Sequence, residues 1–301
     1  MSKQLAFRQD GTFKIVQFTD IHIGDGKEEE REKDGSTTAL IERVIAHEKP
    51  DLVVLTGDLH WSHGIDDPQG ACRRAIAPVL RAQVPWTAVF GNHDAEAGVT
   101  REQLLAIWQE SEYCLATAGP AEVNGVGNYA LTIKQADGAD GAALYFFDSG
   151  IEAPNEIGGY AWIHPNQVNW YTQQSLMLTK KQGDPLPALA FFHIPIPEYN
   201  EAWTAGEQRT GVREEEVCCP KINTGLFGAM VEMGDVMGTF VGHDHDNDYC
   251  GTLYGIRLCY GRVTGYNTYG SLQRGARVIE LREGVRSFET WIMQEDGSVV
   301  R

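Results

Sequence analysis

The chain has 301 residues, 42% of them hydrophobic and 22% charged, enough apolar content to bury a sizeable core and too much for a disordered segment. With 25 Lys and Arg against 42 Asp and Glu, the net charge is -17, which repels a phosphate backbone and excludes duplex nucleic acid as an expected partner. Met1 to Asp10 has no basic start leading into an apolar run, and no stretch is apolar enough to span a bilayer, so a soluble cytoplasmic protein with no membrane partner is expected, with residues 1–301 as one domain.

In chain order, Phe13 to Phe18 reads as a strand, and Thr37 to Glu48, with Leu40, Ile41, Val44 and Ile45 on one face, as an amphipathic helix ended by Pro50. Leu52 to Leu55 is a second strand, Ala71 to Ala82 a second helix and Trp86 to Phe90 a third strand. Such a βαβαβ start calls for a mostly parallel sheet covered by helices. Further strands are expected at Tyr129 to Ile133, Leu144 to Phe147, Leu189 to Phe192, Met237 to Val241, Thr252 to Tyr260, Arg277 to Leu281 and Phe288 to Met293, with helices only around Gln167 to Leu178 and Leu226 to Met233. Strands dominate this half, so a second, mixed or antiparallel sheet follows. The fold class is α/β, a two-sheet sandwich flanked by helices.

The six cysteines (Cys72, Cys114, Cys218, Cys219, Cys250, Cys259) form no CxxC pair or zinc-ribbon spacing and are expected to be reduced thiols.

Five apolar runs end in metal-ligating residue types: Asp20-Ile21-His22, Gly57-Asp58, Gly91-Asn92-His93-Asp94, His193 and Gly242-His243-Asp244-His245. Taken singly, His193 reads as a hydrogen-bonded structural residue and Asp58 as a cap. Taken together they hold five of the nine histidines, each following an apolar run. Ligands of open α/β sheets gather outside the carboxyl ends of strands, so these places are expected to meet in one crevice. Imidazole, carboxylate and amide oxygen without thiolate suit manganese, iron or zinc. Seven candidate ligands exceed what one ion uses, and two ions sharing a carboxylate, roughly 3.5 to 4 Å apart, serve in-line displacement at phosphorus. Two divalent ions with Asp20 and Asp58 leave the site at about +2 inside an acidic protein, which fits a phosphate ester.

In this order the five blocks resemble the signature of the calcineurin-like metallophosphoesterases. The resemblance implies a helix-flanked β-sandwich, one divalent ion held by Asp20, His22, Asp58 and His245, and another by Asp58, Asn92, His193 and His243, with Asp58 as the bridge. It also implies that His93 contacts phosphate and protonates the leaving oxygen, that Asp94 holds the His93 ring, and that hydroxide made available by the ions attacks phosphorus. Phe147-Asp148-Ser149-Gly150, Gly159-Tyr160-x-Trp162-Ile163 and Tyr260-Gly261-Arg262-x-x-Gly265-Tyr266 are similar to an intracellular purple-acid-phosphatase-like branch. Where purple acid phosphatases proper carry a ligand tyrosine, three residues beyond the bridging aspartate, this chain has Trp61.

Arg262, with Tyr266 beside it, is the candidate for binding substrate phosphate, and Asn92 is counted for substrate as well as metal. His60 and His63 are read as structural or solvated, Arg209 and Arg213 as solvated charge in the insertion Gly206 to Glu216, and the run Lys27 to Asp34 as a solvated loop near the cleft mouth that disfavours polyanions. The expected activity is a phosphatase acting on phosphomonoesters, small molecules or phosphoprotein side chains. A phosphodiesterase using the same ions is the alternative, and a non-catalytic scaffold the third reading.

Overall fold

A computed structural model describes residues 4–301, so Met1, Ser2 and Lys3 of the amino-terminal stretch lie outside the described residues. The first half follows the expected alternation: β1 (Thr12–Phe18), α1 (Glu28–Glu48), β2 (Leu52–Thr56), α2 (Pro68–Ala82), β3 (Trp86–Val89) and α3 (Arg101–Trp108). The second half adds β4 (Tyr129–Lys134), β5 (Asp140–Phe146), α4 (Pro165–Gln182), β6 (Ala188–Phe191), α5 (Glu198–Thr204), β7 (Glu207–Thr210), α6 (Leu226–Met233) and β8 (Val236–Val241). The hairpin β9 (Cys250–Leu253) and β10 (Ile256–Tyr260) and the strands β11 (Gly275–Arg282), β12 (Phe288–Gln294) and β13 (Val299–Val300) complete it.

Two mixed sheets result. The first has the order β13-β12-β11-β1-β2-β3, the second β4-β5-β6-β8-β10-β9-β7. Within the first, β1, β2 and β3 are parallel neighbours; within the second, β5, β6, β8 and β10 are. The period-2 alternation of a strand explains how β5 and β6 are buried on both faces. Leu144, Phe146, Leu189 and Phe191 enter the core between the sheets, while Ala143, Tyr145, Ala190 and Phe192 pack under the helices with Tyr171 and Phe227. The rings of Phe146, Phe191, Phe240 and Phe288 run across the gap, 5.3, 5.2 and 5.5 Å apart between successive centroids. Phe288 belongs to the first sheet, so this ladder joins the two; truncating a buried ring such as Phe191 to Ala costs about 3–5 kcal/mol.

The structure corrects several expectations. The run Lys27 to Asp34 is no loop: Glu28, Glu29 and Glu30 form the first turn of α1, where negative side chains meet the positive end of the helix dipole. The single strand expected over Thr252 to Tyr260 is a hairpin, turned at Tyr254 (φ 48°) and Gly255 (φ 82°) in the left-handed region that two-residue hairpin loops require. Cys250 and Cys259 are not reduced thiols: the hairpin register sets them opposite each other with Cα atoms 4.1 Å apart, and they form a disulfide. Cys72, Cys114, Cys218 and Cys219 are free. Sequence reading missed α3, although Thr100 and Gln103 make a reciprocal capping box at its start, and it missed the short α5, β7 and β13. Among the described residues, no helix is long and apolar enough to cross a membrane.

Candidate metal centre

The five ligand-bearing places leave the carboxyl ends of β1, β2, β3, β6 and β8, all parallel strands, three from one sheet and two from the other. The sheets are stitched together at this end, where Gln17 donates to the carbonyl of Val241 at 3.0 Å and His193 Nδ1 to the carbonyl of Thr56 at 2.8 Å. Asp20, His22 and His245 form one group of convergent ligand atoms, and Asp58, His193 and His243 a second, all six buried. Asn92 joins the second group, its Oδ1 3.1 Å from His193 Nε2. The groups meet at Asp58, whose Oδ2 stands 3.7 Å from His22 Nε2 and 3.1 Å from His193 Nε2.

Four of these residues hold backbone angles that side chains rarely adopt: Asp20 (φ 53°), His22 (φ 45°), Asp58 (φ 52°) and His243 (φ 78°). Each costs of order 1–3 kcal/mol, which the surrounding structure must over-determine. The turns close because glycines let backbones touch: at Gly57 (φ 88°) a Cβ would stand 2.5 Å from the Gly91 nitrogen and 2.7 Å from His193 Nδ1.

The donor set fits a pair of divalent ions. Both ring nitrogens of His22 and Nε2 of His243 are buried without a hydrogen-bond partner. Burial pushes each of these imidazoles down to about 3, so both stay neutral with lone pairs to offer. Burial alone would raise Asp20, but His245 at 3.3 Å holds it at about 2. Asp58 is held well below its ordinary range, the nearby His193 outweighing burial. His193, which burial would lower, is raised to about 9 by the Asp58 charge. Because His193 Nδ1 donates to the Thr56 carbonyl, its Nε2 can stand 3.1 Å from the Asp58 oxygen only with a second proton on the ring or a metal ion at hand. Backbone carbonyls orient the rings: Thr56 takes the Nδ1 proton of His193, and Nδ1 of His245 lies 3.3 Å from the carbonyl of Tyr269 and 3.0 Å from the Thr268 hydroxyl, which turns both Nε2 atoms toward the centre.

Several assigned roles are not supported by the geometry. Asp94 does not hold His93; buried, it accepts the backbone N–H groups of Gly91, Leu59 and Asp58 at 2.7, 2.8 and 3.0 Å, clamping two ligand loops together. The carboxylate beside His93 is Glu96, Oε1 2.9 Å from Nδ1, an i,i+3 contact. Arg262 is buried, pairs with Asp248 and donates to the carbonyl of Gln273 at 2.7 Å, so it does not face the cleft. Tyr266 gives its hydroxyl to Glu295 and its backbone N–H to Thr37. His60 is buried 3.5 Å from Asp94, and His63 is exposed. Arg209 caps carbonyls of Trp203 and Thr204, and Arg213 bonds Asn200.

An aromatic collar went unforeseen. Trp61 lies 4.2 Å from His22 and 4.4 Å from His93 between ring centroids, Tyr160 meets His243 edge-on at 4.3 Å, and Tyr269 stacks on His245 at 4.0 Å. In the sequence Trp61 stands out only for occupying the place of a ligand tyrosine, and nothing about single aromatics in loops marks them as neighbours. Ser62 ties the Asp58 loop to the His93 loop, its Oγ donating to the His93 carbonyl at 2.7 Å and accepting from the Glu96 nitrogen at 2.6 Å. Asp148, from the Phe147-Asp148-Ser149-Gly150 block, accepts from Arg101 at 2.6 Å, and Arg101 also reaches the carbonyl of Gly91 at 3.3 Å.

Residues 13–247 match the family model described as calcineurin-like phosphoesterase. The chain is 35% identical to an Arabidopsis thaliana protein named probable inactive purple acid phosphatase 14, over 96% of this chain and 80% of that one. It is 34% identical to Phosphatase DCR2 of Saccharomyces cerevisiae, over 96% of this chain and 55% of that one. The structure is similar to that of a dimetal phosphatase from Danio rerio, TM-score 0.62 at 15% identity, covering 92% of this chain and 98% of that one.

Proposed function

The chain belongs to the calcineurin-like phosphoesterase family, and from that premise we propose that it is a metal-dependent phosphatase that hydrolyses compact phosphomonoesters. The observation that carries the reading is the pair of buried ligand groups fused at the Asp58 carboxylate. Asp20, His22, Asp58 and His245 would hold one divalent ion, and Asp58, Asn92, His193 and His243 the other. Bound there, two such ions supply Lewis acidity toward a phosphoryl oxygen and water of lowered pKa.

The chain's own residues supply the rest. His93 is part-exposed at the rim, its backbone N–H fixed on Asp58 Oδ1 at 2.9 Å and its Nδ1 facing Glu96. That leaves Nε2 to give a proton to the departing oxygen. Asp94, by holding the backbone amides of Asp58, Leu59 and Gly91, keeps His93 and the bridging carboxylate in one frame. Glu96 stands beside His93, and Glu215 accepts from the hydroxyl of Tyr269, the ring stacked on His245; these two carboxylates support a small substrate over a polyanion. The word inactive belongs to the names of the Arabidopsis relatives; the two convergent groups Asp20, His22, His245 and Asp58, His193, His243, with Asn92 beside His193, support an active site here.

The test is a comparison of aryl phosphomonoester and phosphodiester hydrolysis with added manganese, iron or zinc, alongside metal analysis of the protein, Asp58→Asn and His93→Ala. Both metals are expected to fall in Asp58→Asn, whereas His93→Ala keeps its metal and slows most on poor leaving groups, by about 10²–10⁴-fold. Stoichiometric metal without metal-activated hydrolysis would overturn the reading, and a strong diester preference would replace monoesters with diesters.

A further inference from the structure

At the end of the second sheet opposite the metal centre, the first residues of β8 and β10 and the start of β12 enclose a cavity of about 230 Å³ lined by Gln208, Thr252, Arg257, Arg286 and Ser287 over Met237. Val236 lines it and Val241 leads into the metal centre, so the six residues of β8 separate the two places by roughly 17 Å. We propose that this cavity is a second, distal anion site, which takes a small tetrahedral oxyanion of the phosphate class between Arg257 and Arg286.

The charge balance of the neighbourhood is the first argument. Arg277 lies close enough to both Arg257 and Arg262 to feel their charge. Arg262 takes the Asp248 carboxylate, and Arg277 spends its donors on the carbonyls of Tyr260 and Asp248 and on the Thr290 hydroxyl. Arg257 is left with a 3.4 Å contact to Thr210 Oγ1, and its buried Nε has no hydrogen-bond partner. Arg286 donates to the carbonyls of Pro185, Gly234 and Asp235. Among the described residues, neither Arg257 nor Arg286 pairs with a carboxylate, although acidic residues outnumber basic ones 42 to 25 in the chain.

An unpaired guanidinium that has lost part of its water is the costly case for a charged group, and a bound anion offsets the cost. Burial alone pulls Arg257 below its ordinary value, with no acidic neighbour to oppose it. The Phe288 ring, 5.9 Å from the Arg257 guanidinium, forms an apolar wall that holds the fork in the cavity. Thr252, Ser287 and Gln208 also line the cavity, residue types whose hydroxyl and amide groups donate to phosphate oxygens. The cavity is smaller than those that enclose drug-sized ligands, which start at about 300 Å³, so the phosphate group itself is the recognised part.

The inference stands apart from the catalytic reading, and its test separates the two sites. Calorimetric titration of the metal-loaded protein with inorganic phosphate is repeated on Asp58→Asn, Arg257→Leu and Thr252→Glu. Asp58→Asn is expected to keep one phosphate-binding event, and Arg257→Leu to weaken that event about tenfold or more. Thr252→Glu, which sets a carboxylate across the strand from Arg257, should abolish the same event without removing the guanidinium, and covers the case in which Arg257→Leu fails to fold. Repeating the titration of Asp58→Asn with glycerol phosphate distinguishes the free ion from an esterified phosphoryl group; binding of either supports the site. Loss of all phosphate binding in Asp58→Asn overturns the proposal, as does binding by Asp58→Asn that persists when Thr252→Glu is added.

Discussion

Replacing Gly91 by Ala tests the packing that brings the ligand loops together. A Cβ on Gly91 would stand 2.1 Å from Asp58 Oδ1 and 2.4 Å from the Asp58 nitrogen. Ordinary contact begins near 3.4 Å, so the carboxylate oxygen must retreat by 3.4 − 2.1 = 1.3 Å, and because the second neighbour is backbone, rotating the Asp58 side chain does not relieve it. The same oxygen accepts the His93 backbone N–H at 2.9 Å, and Asp94 accepts from both Gly91 and Asp58, so the loops move together or those bonds break. Overpacking of this kind costs about 1–3 kcal/mol, and displacing the bridging carboxylate should weaken metal retention by about 10–100-fold, the range seen when groups that orient ligands are lost. Metal content after dialysis against a graded chelator series reads the second effect, and thermal unfolding the first. Gly35→Ala is the control: the glycine sits in α1 with nothing within 4 Å of its would-be Cβ, so Ala there should stabilise by about 0.5–1 kcal/mol and leave metal binding unchanged. Full metal retention in Gly91→Ala would refute the argument that backbone closeness sets the Asp58 position.

Glu96→Gln should leave metal content intact and lower kcat by about tenfold with little change in KM, the loss growing as the leaving group worsens. Glu96→Asp should recover part of it, and equal rates in all three proteins would show that the 2.9 Å contact to His93 does not orient the ring. Arg262→Leu leaves the Asp248 carboxylate buried and unpaired, and should lower the unfolding free energy by about 3–5 kcal/mol without the KM rise that a substrate-binding arginine would produce. Denaturant unfolding beside steady-state kinetics decides between the two roles. Burial by itself raises Asp140, but Lys134 and Lys181 at 2.5 Å hold it at about 2. The folded value lies below the ordinary one of about 3.9, so this stabilisation is complete above that pH and is lost as pH falls toward 2. Asp140→Asn should therefore destabilise at pH 7 and flatten the acid-side fall in melting temperature; an unchanged acid slope would remove Asp140 from the account.

The chemistry of the metal ligands was legible because it is local. Each candidate ligand follows a strand within a few residues, and parallel strands deliver their carboxyl ends to one edge, so the meeting of the five places could be expected from strand order alone, whereas the choice of Asp20, His22, Asp58, Asn92, His193, His243 and His245 over their neighbours His93 and Asp94 came from the family resemblance. The βαβαβ start and the two sheets were legible for the same reason, since periodic burial is written along each segment. Glu28 to Glu30 misled because solvated charge looks alike in a loop and in a first helical turn, and Thr252 to Tyr260 because a two-residue turn barely interrupts an apolar run.

What the tertiary structure alone decided is pairing. Arg262 has the right chemistry for phosphate, but Asp248, fourteen positions earlier, claims it in the interior. Asp94 follows His93 directly, yet points at three amides while Glu96 turns back to the ring. Trp61, Tyr160 and Tyr269 come from three separate loops to stand against three ligand histidines. A side chain's donors and charge are properties of its residue type, whereas its partner is whichever group the packed chain leaves within about 3 Å, and that depends on segments far away in sequence.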